Sequence, residues 1–183
     1  MPRRILLGIS GSIAAVKAPE LARLLVDKGF DVDCVLTKGA TQFVAPLALS
    51  TFTGRPVVEE MFGVDAWKMQ HLRLAENADV MVISPATALI LGRCANGLTE
   101  DMVTLSYLTT TAPILIAPAM HPTMWEHPAT QANVKTLRDR GAIFVGPYIG
   151  PLADKTNGEG RMSEPSEIVQ AVEKTLETRP KKA

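Results

Sequence analysis

Short apolar runs alternate with longer amphipathic segments along most of the chain. This alternation is typical of parallel strands that crossover helices cover on both faces. The apolar runs predict five strands, at Arg4–Ile9, Val32–Leu36, Val80–Ser84, Ile114–Ala117 and Ile143–Val145. The amphipathic segments predict helices over Ile13–Lys28, Thr41–Ser50, Thr87–Leu108, Pro128–Arg140 and Ser166–Glu177. We therefore expect an α/β fold in which one doubly wound parallel sheet lies between two layers of helices.

Glycine and proline mark the ends of several predicted helices. Gly29 follows the basic end of the first helix, and Gly141 stands where the fourth should end. Pro128 and Pro165 suit first-turn positions, where a proline costs no hydrogen bond. Pro19 falls inside the first helical pattern, so it should either kink that helix or move its start.

Residues Gly146–Met162 break the pattern, since they contain four glycines and two prolines without an apolar period. They predict a long surface loop of the kind that often closes over a binding site. The 183 residues show no internal repeat and no second-domain boundary, so they predict a single domain. Residues 178–183, with the basic cluster Arg179-Pro180-Lys181-Lys182, are expected to form a flexible solubilising tail.

Nineteen basic and nineteen acidic side chains cancel, which leaves no broad electrostatic field to attract nucleic acid or anionic lipid. We therefore expect neither a nucleic-acid partner nor a membrane partner. No uncharged apolar stretch approaches the ~20 residues that span a bilayer. The apolar run after the charged start is too short for a signal peptide. These features predict a cytoplasmic protein.

The cysteines and histidines give little sign of a metal site. Cys34 and Cys94 lack metal-ligand spacing, and Cys34 stands in an apolar run where small buried thiols are common. The histidines, His71, His121 and His127, include no HxxxH pair. His127 directly precedes a predicted helix, which favours a capping role. We expect neither a disulfide framework nor a bound metal.

The turn Gly8-Ile9-Ser10-Gly11-Ser12 ends the first strand and opens the first helix. Free backbone N–H groups and the helix dipole make such a position a phosphate site, although the same residues also suit an ordinary tight turn. The chain lacks G-x-G-x-x-G, and its second strand ends in Thr37 rather than in the acidic residue that binds an adenosine ribose. The pattern therefore favours a mononucleotide over NAD.

Two further segments extend this hypothesis. Thr37 can donate its hydroxyl to the same phosphate, and Phe43 can either lie beside an aromatic ring or belong to the core. The third strand runs into Ser84-Pro85-Ala86-Thr87-Ala88, small residues at the edge where open α/β sheets bind ligands. A flat ring could approach the backbone there, although proline and alanine after a strand also commonly start a helix.

Together these segments resemble the flavin-dependent cysteine decarboxylases, which include phosphopantothenoylcysteine and peptidyl-cysteine decarboxylases. The resemblance covers roughly residues 4–175 and rests on the order and spacing of its motifs. These motifs are Gly8-Ile9-Ser10-Gly11-Ser12-Ile13-Ala14-Ala15, Thr37 with Ala40 and Phe43, His71-Leu72-Arg73-Leu74-Ala75, Ser84-Pro85-Ala86-Thr87-Ala88 with Ala95-Asn96-Gly97 and Asp101, Pro118–Trp125, and Gly160-Arg161-Met162. The Pro118–Trp125 block is the most specific of them.

The resemblance implies a flavodoxin-like, Rossmann-like fold that binds flavin mononucleotide (FMN). It also implies assembly as homotrimers or multiples of three, such as homododecamers, with FMN lodged between subunits. The substrate would contact His121, Met124 and Asp154, and His71 matches the catalytic histidine. The implied cofactor contacts are Ser10, Gly11, Ser12, Thr37, Phe43, Ser84, Pro85, Ala86, Thr87 and Ala119.

The implied reaction is the oxidative decarboxylation of a cysteinyl carboxylate, such as phosphopantothenoylcysteine in coenzyme A biosynthesis. The flavin oxidises the substrate thiol to a thioaldehyde, which loses carbon dioxide and leaves an enethiolate. An imidazole can pass a proton to or from that thiol near neutral pH, which suits His71 to the catalytic position.

Three positions depart from the family pattern. His121 replaces an asparagine whose amide holds the substrate carboxylate, and a histidine can still donate hydrogen bonds there. Asp154 falls where the coenzyme A branch has a reactive cysteine, and Gly146–Met162 contains no cysteine. Leu89 replaces an asparagine near the flavin. These differences leave open a peptidyl-cysteine decarboxylase, a flavin reductase or electron carrier, and a non-enzymatic regulatory flavoprotein.

Overall fold

The computed structural model describes residues 2–62 and 69–178. The predicted flexible tail, apart from Thr178, lies outside these residues together with its basic cluster. Within them, five parallel strands form one sheet in the order β2-β1-β3-β4-β5. The strands are β1 (Arg4–Ile9), β2 (Asp31–Leu36), β3 (Val80–Ala86), β4 (Ile114–Pro118) and β5 (Ile143–Phe144). All five predicted strands are therefore confirmed, with small shifts at their ends.

The chain crosses from strand to strand through helices on both faces of the sheet. They are α1 (Ala18–Asp27), α2 (Pro46–Thr53), α3 (Gln70–Asn77), α4 (Ala88–Asn96), α5 (Met102–Thr109), α6 (Pro122–Trp125), α7 (Pro128–Asp139) and α8 (Pro165–Glu177). Short 3₁₀ turns cover Ile13–Lys17 and Ala40–Gln42. An antiparallel hairpin of β6 (Tyr148–Pro151) and β7 (Asn157–Arg161) precedes α8.

Both faces of the sheet are buried, because successive side chains of a strand point to opposite faces. On β1, Ile5, Leu7 and Ile9 pack in the layer of α1, α2 and α8. Leu6 packs instead in the layer of α3, α4, α5 and α7. All four side chains are at most 1% exposed. The expected α/β fold with three layers is confirmed.

The first predicted helix is divided at Lys17. Residues Ile13–Lys17 form a 3₁₀ turn, and α1 begins afterwards with Pro19 in its first turn. The single helix over Ile13–Lys28 is therefore wrong, and Pro19 moves the start because a first-turn proline loses no hydrogen bond. Gly29 and Gly141 follow α1 and α7 as predicted, with φ angles of +82° and +92°.

The single helix predicted over Thr87–Leu108 is also wrong. Gly97 has a φ of +68° and ends α4 in the left-handed conformation. Asp101 then starts α5, because its carboxylate accepts the Thr104 N–H at 2.9 Å. The Thr104 hydroxyl in turn accepts the Asp101 N–H at 3.3 Å. This reciprocal cap fixes a new helix start.

Other helices are displaced from the predicted pattern or absent from it. The helix predicted over Thr41–Ser50 lies later, at Pro46–Thr53, since Pro46 sets its first turn and Gly54 ends it. The predicted pattern has no counterpart of α3 or α6. These helices have only eight and four residues, so they contain too few turns for an apolar period to emerge.

Residues Gly146–Met162, predicted as a long surface loop, lie mostly at the surface but contain the ordered β6–β7 hairpin. The Met120 N–H donates to the Gly160 carbonyl at 3.1 Å, which joins β7 to the loop after β4. A Cβ on Gly160 would lie only 2.1 Å from the Met120 carbonyl oxygen. Met162, directly after β7, is 4% exposed. A bare backbone at Gly160 therefore permits this docking.

The remaining features concern the cysteines, His127, membrane-spanning helices and groups of metal-binding side chains. Cys34 and Cys94 are buried and unpaired. His127 caps α7, because its Nδ1 accepts the Ala129 N–H at 3.1 Å. Within residues 2–62 and 69–178, no helix is long and apolar enough to cross a membrane. In the same ranges, no group of three or more His, Cys, Asp or Glu side chains is placed to hold a metal ion.

Candidate active site

Two neighbouring cavities open at the carboxyl edge of the sheet. The turn cavity, of about 490 Å³, lies between the turns that follow β1, β2 and β3. The hairpin cavity, of about 440 Å³, lies between the 3₁₀ turn after β1, the loop after β4 and the β6–β7 hairpin. Gly11 lines the turn cavity and Ser12 lines the hairpin cavity. The two cavities therefore adjoin at the turn that contains these consecutive residues.

Ser10 joins the turns that follow β1 and β3. Its hydroxyl donates to the Pro85 carbonyl at 2.7 Å and accepts the Thr87 N–H at 3.1 Å. The backbone N–H of Ser10 reaches the same carbonyl at 3.3 Å. Ser10 is 1% exposed, so its hydroxyl is committed to these partners. Ser10 thus fixes the two turns relative to each other at the wall of the turn cavity.

The turns that follow β1 and β2 touch through two glycines. A Cβ on Gly11 would lie 2.8 Å from the carbonyl carbon of Gly39 and 3.0 Å from its oxygen. Any larger residue at position 11 would therefore push the two turns apart. Thr37 holds the second turn, because its hydroxyl accepts the Ala40 N–H at 3.2 Å. The result is a bare stretch of backbone at the cavity wall.

Helix α4 presents its amino end to the turn cavity. Thr87 is the N-cap of α4, and its hydroxyl accepts the Ile90 N–H at 3.4 Å. Thr87, Ala88 and Leu89 all line the cavity. The free N–H groups and positive dipole end of this nine-residue helix therefore lie at the cavity. A phosphate group is an anion that suits such a position.

The charged side chains of the turn cavity balance one another. Arg93 of α4 contacts Asp101 at 3.0 Å and also pairs with Glu100. Lys38, from the turn after β2, is exposed and also lines the cavity. Because two carboxylates already neutralise Arg93, attraction for an anion comes from the amino end of α4 and from Lys38.

In the hairpin cavity, His121 faces Asp154. Their Nε2 and Oδ2 atoms are 3.4 Å apart. On the other side of the ring, Nδ1 accepts the Thr123 N–H at 3.3 Å and lies 2.6 Å from the Thr123 hydroxyl. A ring nitrogen that accepts a hydrogen bond carries no proton, so the proton of the neutral imidazole is on Nε2. The Asp154 carboxylate lies on this side of the ring.

The Asp154 carboxylate is ionised at neutral pH. The Thr156 hydroxyl donates to its Oδ1 at 2.7 Å, and the Thr156 N–H donates to the same oxygen at 3.1 Å. These bonds hold the pKa of Asp154 below its ordinary value of 3.8 against the opposing effect of desolvation. In this form the side chain accepts hydrogen bonds and donates none.

Two cations line another part of the hairpin cavity. Lys17 Nζ and Arg161 Nη2 contact the two oxygens of Glu164, at 2.7 and 2.5 Å. The cavity also has an apolar wall, to which Ile13, Val16 and Leu152 contribute. The hairpin cavity therefore combines a hydrogen-bond donor, two cations and an apolar surface.

The structure brings most of the predicted site residues to these two cavities. The turn cavity is lined by Ser10, Gly11, Thr37, Thr87 and Met124. The hairpin cavity is lined by Ser12, Ala119, His121 and Asp154. The predicted substrate residue Met124 thus lies among the predicted cofactor residues. Conversely, the predicted cofactor residues Ser12 and Ala119 lie among the predicted substrate residues.

Five predicted site residues line neither cavity within the described part of the chain. Ser84, Pro85 and Ala86 are buried at the end of β3, where the Ser84 hydroxyl contacts the Met162 sulfur at 3.4 Å. Phe43 is 42% exposed, so the alternative that it belongs to the core is wrong. His71 is the fifth residue.

His71 lies in the first turn of α3 and is half-buried. Helix α3 leads into β3, so it runs from the carboxyl edge of the sheet toward the amino edge. The amino end of α3, with His71, is therefore on the side of the sheet where the cavities open. α3 packs against α5, and Asp101, the N-cap of α5, lines the turn cavity.

Four cationic residues line the cavities although the sequence patterns do not single them out as site residues. Lys17 and Lys38 follow shortly after the carboxyl ends of β1 and β2, and that position is a usable signal. Arg161 lies inside the Gly160-Arg161-Met162 motif. Arg93 lies within a helix and carries no such signal.

A parallel sheet with small-residue turns and a helix amino end at its carboxyl edge is the architecture of nucleotide-binding α/β proteins. The Flavoprotein family profile matches residues 1–177. The chain belongs to the Flavoprotein family.

The chain is 42% identical over 175 residues to the coenzyme A biosynthesis bifunctional protein CoaBC of Mycolicibacterium smegmatis. The match covers 96% of this chain but 42% of that relative, so the chain spans less than half of its length. A mutant PPC decarboxylase complexed with pantothenoylaminoethenethiol has a TM-score of 0.86 and 31% identity, over 97% of this chain and 100% of that one.

The FMN-dependent cysteine decarboxylase TvaF from thioviridamide biosynthesis has a TM-score of 0.79 and 29% identity. That match covers 96% of this chain and 98% of TvaF. The flavodoxin-like fold and the resemblance to the FMN-dependent cysteine decarboxylases, both expected from the motifs, are confirmed.

Proposed function

We propose that this protein is an FMN-dependent decarboxylase of a cysteinyl carboxylate, with phosphopantothenoylcysteine as its substrate. The proposal is carried by the junction of the two cavities, which the consecutive residues Gly11 and Ser12 line from the same turn. A cofactor in the turn cavity would meet a substrate in the hairpin cavity at this turn. The match of a PPC decarboxylase structure to 97% of the chain supports the assignment.

The residues of the turn cavity fit a mononucleotide phosphate. Gly11 and Gly39 leave bare backbone at the wall, and Thr87 starts a helix whose amino end attracts an anion. Leu89 and Met124 line the same cavity and are 61% and 48% exposed, which offers apolar surface for a flat ring. When bound there, FMN would accept the electrons that leave the substrate thiol.

We assign the substrate carboxylate to His121. The Nε2 proton of the neutral ring is available on the cavity side, where the Asp154 carboxylate lies 3.4 Å from Nε2. A substrate carboxylate at hydrogen-bond distance from Nε2 would accept this proton in a charge-assisted bond. The Thr123 N–H, which donates to Nδ1 at 3.3 Å, keeps the ring oriented for this bond.

We assign proton transfer at the substrate thiol to His71. Since His71 lines neither of these two cavities in the described part of one chain, we assign this role to the His71 of a second copy, whose α3 would reach the site. The exposed apolar side chains of Leu89 and Met124 would be covered by such a contact. We therefore propose a homotrimer or a multiple of three. Sedimentation should give a mass of three times 19.7 kDa or a multiple of it, and a monomer with full activity would contradict this assembly.

Anaerobic mixing with phosphopantothenoylcysteine tests the reaction. We expect the purified protein to contain FMN, and we expect the substrate to bleach the flavin spectrum and release carbon dioxide. A protein that takes up no FMN, or that releases no carbon dioxide from this substrate, would contradict the proposal.

Two histidine variants separate catalysis from structure in this assay. His71→Asn should slow decarboxylation by at least about 100-fold while FMN remains bound, because a proton-transfer group contributes roughly 10²–10⁴ in rate. His127→Asn is the matched control. His127 caps α7 through one hydrogen bond, and asparagine caps helices equally well.

A peptidyl-cysteine decarboxylase is the second candidate. It is favoured by the similarity to TvaF and by the lack of a cysteine in Gly146–Met162. A peptide that ends in cysteine, offered in the same assay, should react slowly if phosphopantothenoylcysteine is the substrate. Faster carbon dioxide release from the peptide would favour the second candidate.

A further inference from the structure

The hairpin cavity has a cationic region that the decarboxylation step does not use. Lys17, the last residue of the 3₁₀ turn after β1, and Arg161, the last residue of β7, both line the cavity. Both bind the Glu164 carboxylate, at 2.7 and 2.5 Å. Two positive charges therefore share the one negative charge of Glu164.

The positions of Arg161 and Glu164 are fixed by the fold. The Arg161 side chain crosses the backbone of β6 at Gly150, where a Cβ would lie 2.9 Å from Arg161 Cδ and 3.2 Å from Nη1. Glu164 is the N-cap residue of α8, and its N–H donates to the Glu167 carboxylate at 2.7 Å. Arg161 and Glu164 thus sit on a strand end and a helix start rather than on a free loop.

We propose that Lys17 and Arg161 form a binding site for the terminal phosphomonoester of the substrate, and that Glu164 holds both cations when no substrate is bound. The inference rests on the proposed function and names the substrate class of the same cavity. A phosphomonoester carries roughly −1.5 to −2 charges at neutral pH, so it can compete with one carboxylate for two cations. The Arg161 guanidinium suits a bidentate contact, and Lys17 acts as a point charge.

The rest of the cavity fits a substrate with an anion at each end. His121 provides a donor for a carboxylate, and Ile13, Val16 and Leu152 provide an apolar wall for an uncharged connecting chain. A peptide that ends in cysteine has the carboxylate but lacks the phosphomonoester. The Lys17–Arg161 site therefore favours a phosphorylated substrate over a peptide.

Isothermal titration of the FMN-loaded protein with 4′-phosphopantothenate and with pantothenate tests this site without turnover. We expect the wild-type protein to bind the phosphorylated compound at least about tenfold more tightly, a ratio that corresponds to about 1.4 kcal/mol. Lys17→Gln and Arg161→Gln should each remove most of this ratio. Arg161→Lys should retain part of it, because the charge remains while the bidentate contact is lost.

Lys28→Gln is the matched control, since Lys28 pairs with Glu173 at 2.8 Å and does not line the described hairpin cavity. It should leave the ratio unchanged. Equal affinities of the wild-type protein for both compounds, or an unchanged ratio in both glutamine variants, would overturn the inference. Failure of the proposed function would appear differently, as an absence of carbon dioxide release despite a preserved binding ratio.

Discussion

The Nε2 atom of His121 lies 3.4 Å from the ionised carboxylate of Asp154. The family resemblance places an asparagine and a reactive cysteine at these two positions. His121 keeps a hydrogen-bond donor where the asparagine amide would stand. Asp154 has no thiol and, with its pKa held below 3.8 by the hydrogen bonds from Thr156, carries no proton at neutral pH. The first position can therefore retain its role, whereas the second cannot.

Asp154 predicts that the reaction stops at the enethiol product. Returning two electrons to that product also requires a proton donor, and an ionised carboxylate has none to give. Asp154→Cys should restore formation of the saturated product, because a thiol with an ordinary pKa near 8.5 is mostly protonated at pH 7. Product masses after anaerobic turnover provide the measurement, with Asp154→Ser as the control. Saturated product from the wild-type protein would show that another group supplies the proton.

Two substitutions of His121 should affect turnover and KM differently. His121→Asn retains a donor for the carboxylate and a residue that caps α6, so turnover should be preserved or increased. His121→Ala removes the donor and should raise KM by about 10- to 100-fold, as expected for about 1.5–3 kcal/mol from a bond to a charged group. Steady-state carbon dioxide release in air, where oxygen reoxidises the reduced flavin, measures both. Equal KM values for the alanine variant and the wild type would show that His121 does not bind the substrate carboxylate.

The sequence predicts the sheet well because each strand is an apolar run bounded by polar turns. It predicts the hairpin poorly, since β6 and β7 consist largely of glycine, proline and polar residues. What fixes the hairpin is tertiary contact, such as the approach of Gly160 to the Met120 carbonyl. No local pattern in Gly146–Met162 encodes that contact.

The candidate site likewise has features that the sequence predicts and features that depend on tertiary packing. Ser10, Gly11 and Thr37 were accessible to prediction, since they end strands at the edge where α/β sheets bind ligands. That Gly11 and Ser12 line different cavities depends on the position of the hairpin and could not be predicted. The relation of His71 to the cavities likewise depends on how α3 packs and on a second copy of the chain.

We expect Gly11→Ala to reduce both stability and FMN binding, and we expect Gly92→Ala to reduce neither. In Gly11→Ala the new Cβ would lie 2.8 Å from the Gly39 backbone, so the variant should lose about 1–3 kcal/mol and bind FMN weakly. In Gly92→Ala the nearest atom is Asn133 Nδ2 at 3.4 Å, and α4 should gain up to about 1 kcal/mol in helix propensity. Thermal melts and FMN titration compare the two. A stable, FMN-binding Gly11→Ala would contradict the close approach.

The two cysteines should resist thiol reagents while the protein is folded. Burial raises the pKa of Cys34 and of Cys94 to about 12, and the charges of Asp33 and Asp101 add to the effect. At pH 8 the reactive thiolate would then be about one part in ten thousand. Labelling with iodoacetamide should be slow in buffer and fast in urea. Fast labelling of protein that retains its native circular dichroism would contradict this.

Glu164 predicts a pH dependence of stability. Hydrogen bonds from Lys17 and Arg161 lower the pKa of Glu164 below its ordinary value of 4.5, against the opposing effect of desolvation. A depressed pKa stabilises the fold at pH values above 4.5, and this contribution disappears as the pH falls through the folded-state pKa. Because Glu164 is partly exposed, Glu164→Gln should lower the Tm at pH 7 by only about 1–4 °C. The difference in Tm between this variant and the wild type should narrow as the pH falls below 4.5. Glu173→Gln, which removes the ion pair to Lys28, is the control. Melting curves from pH 7 to pH 3.5 provide the measurement. A Tm difference that stays constant or grows toward low pH would show that Lys17 and Arg161 do not stabilise the ionised Glu164 carboxylate.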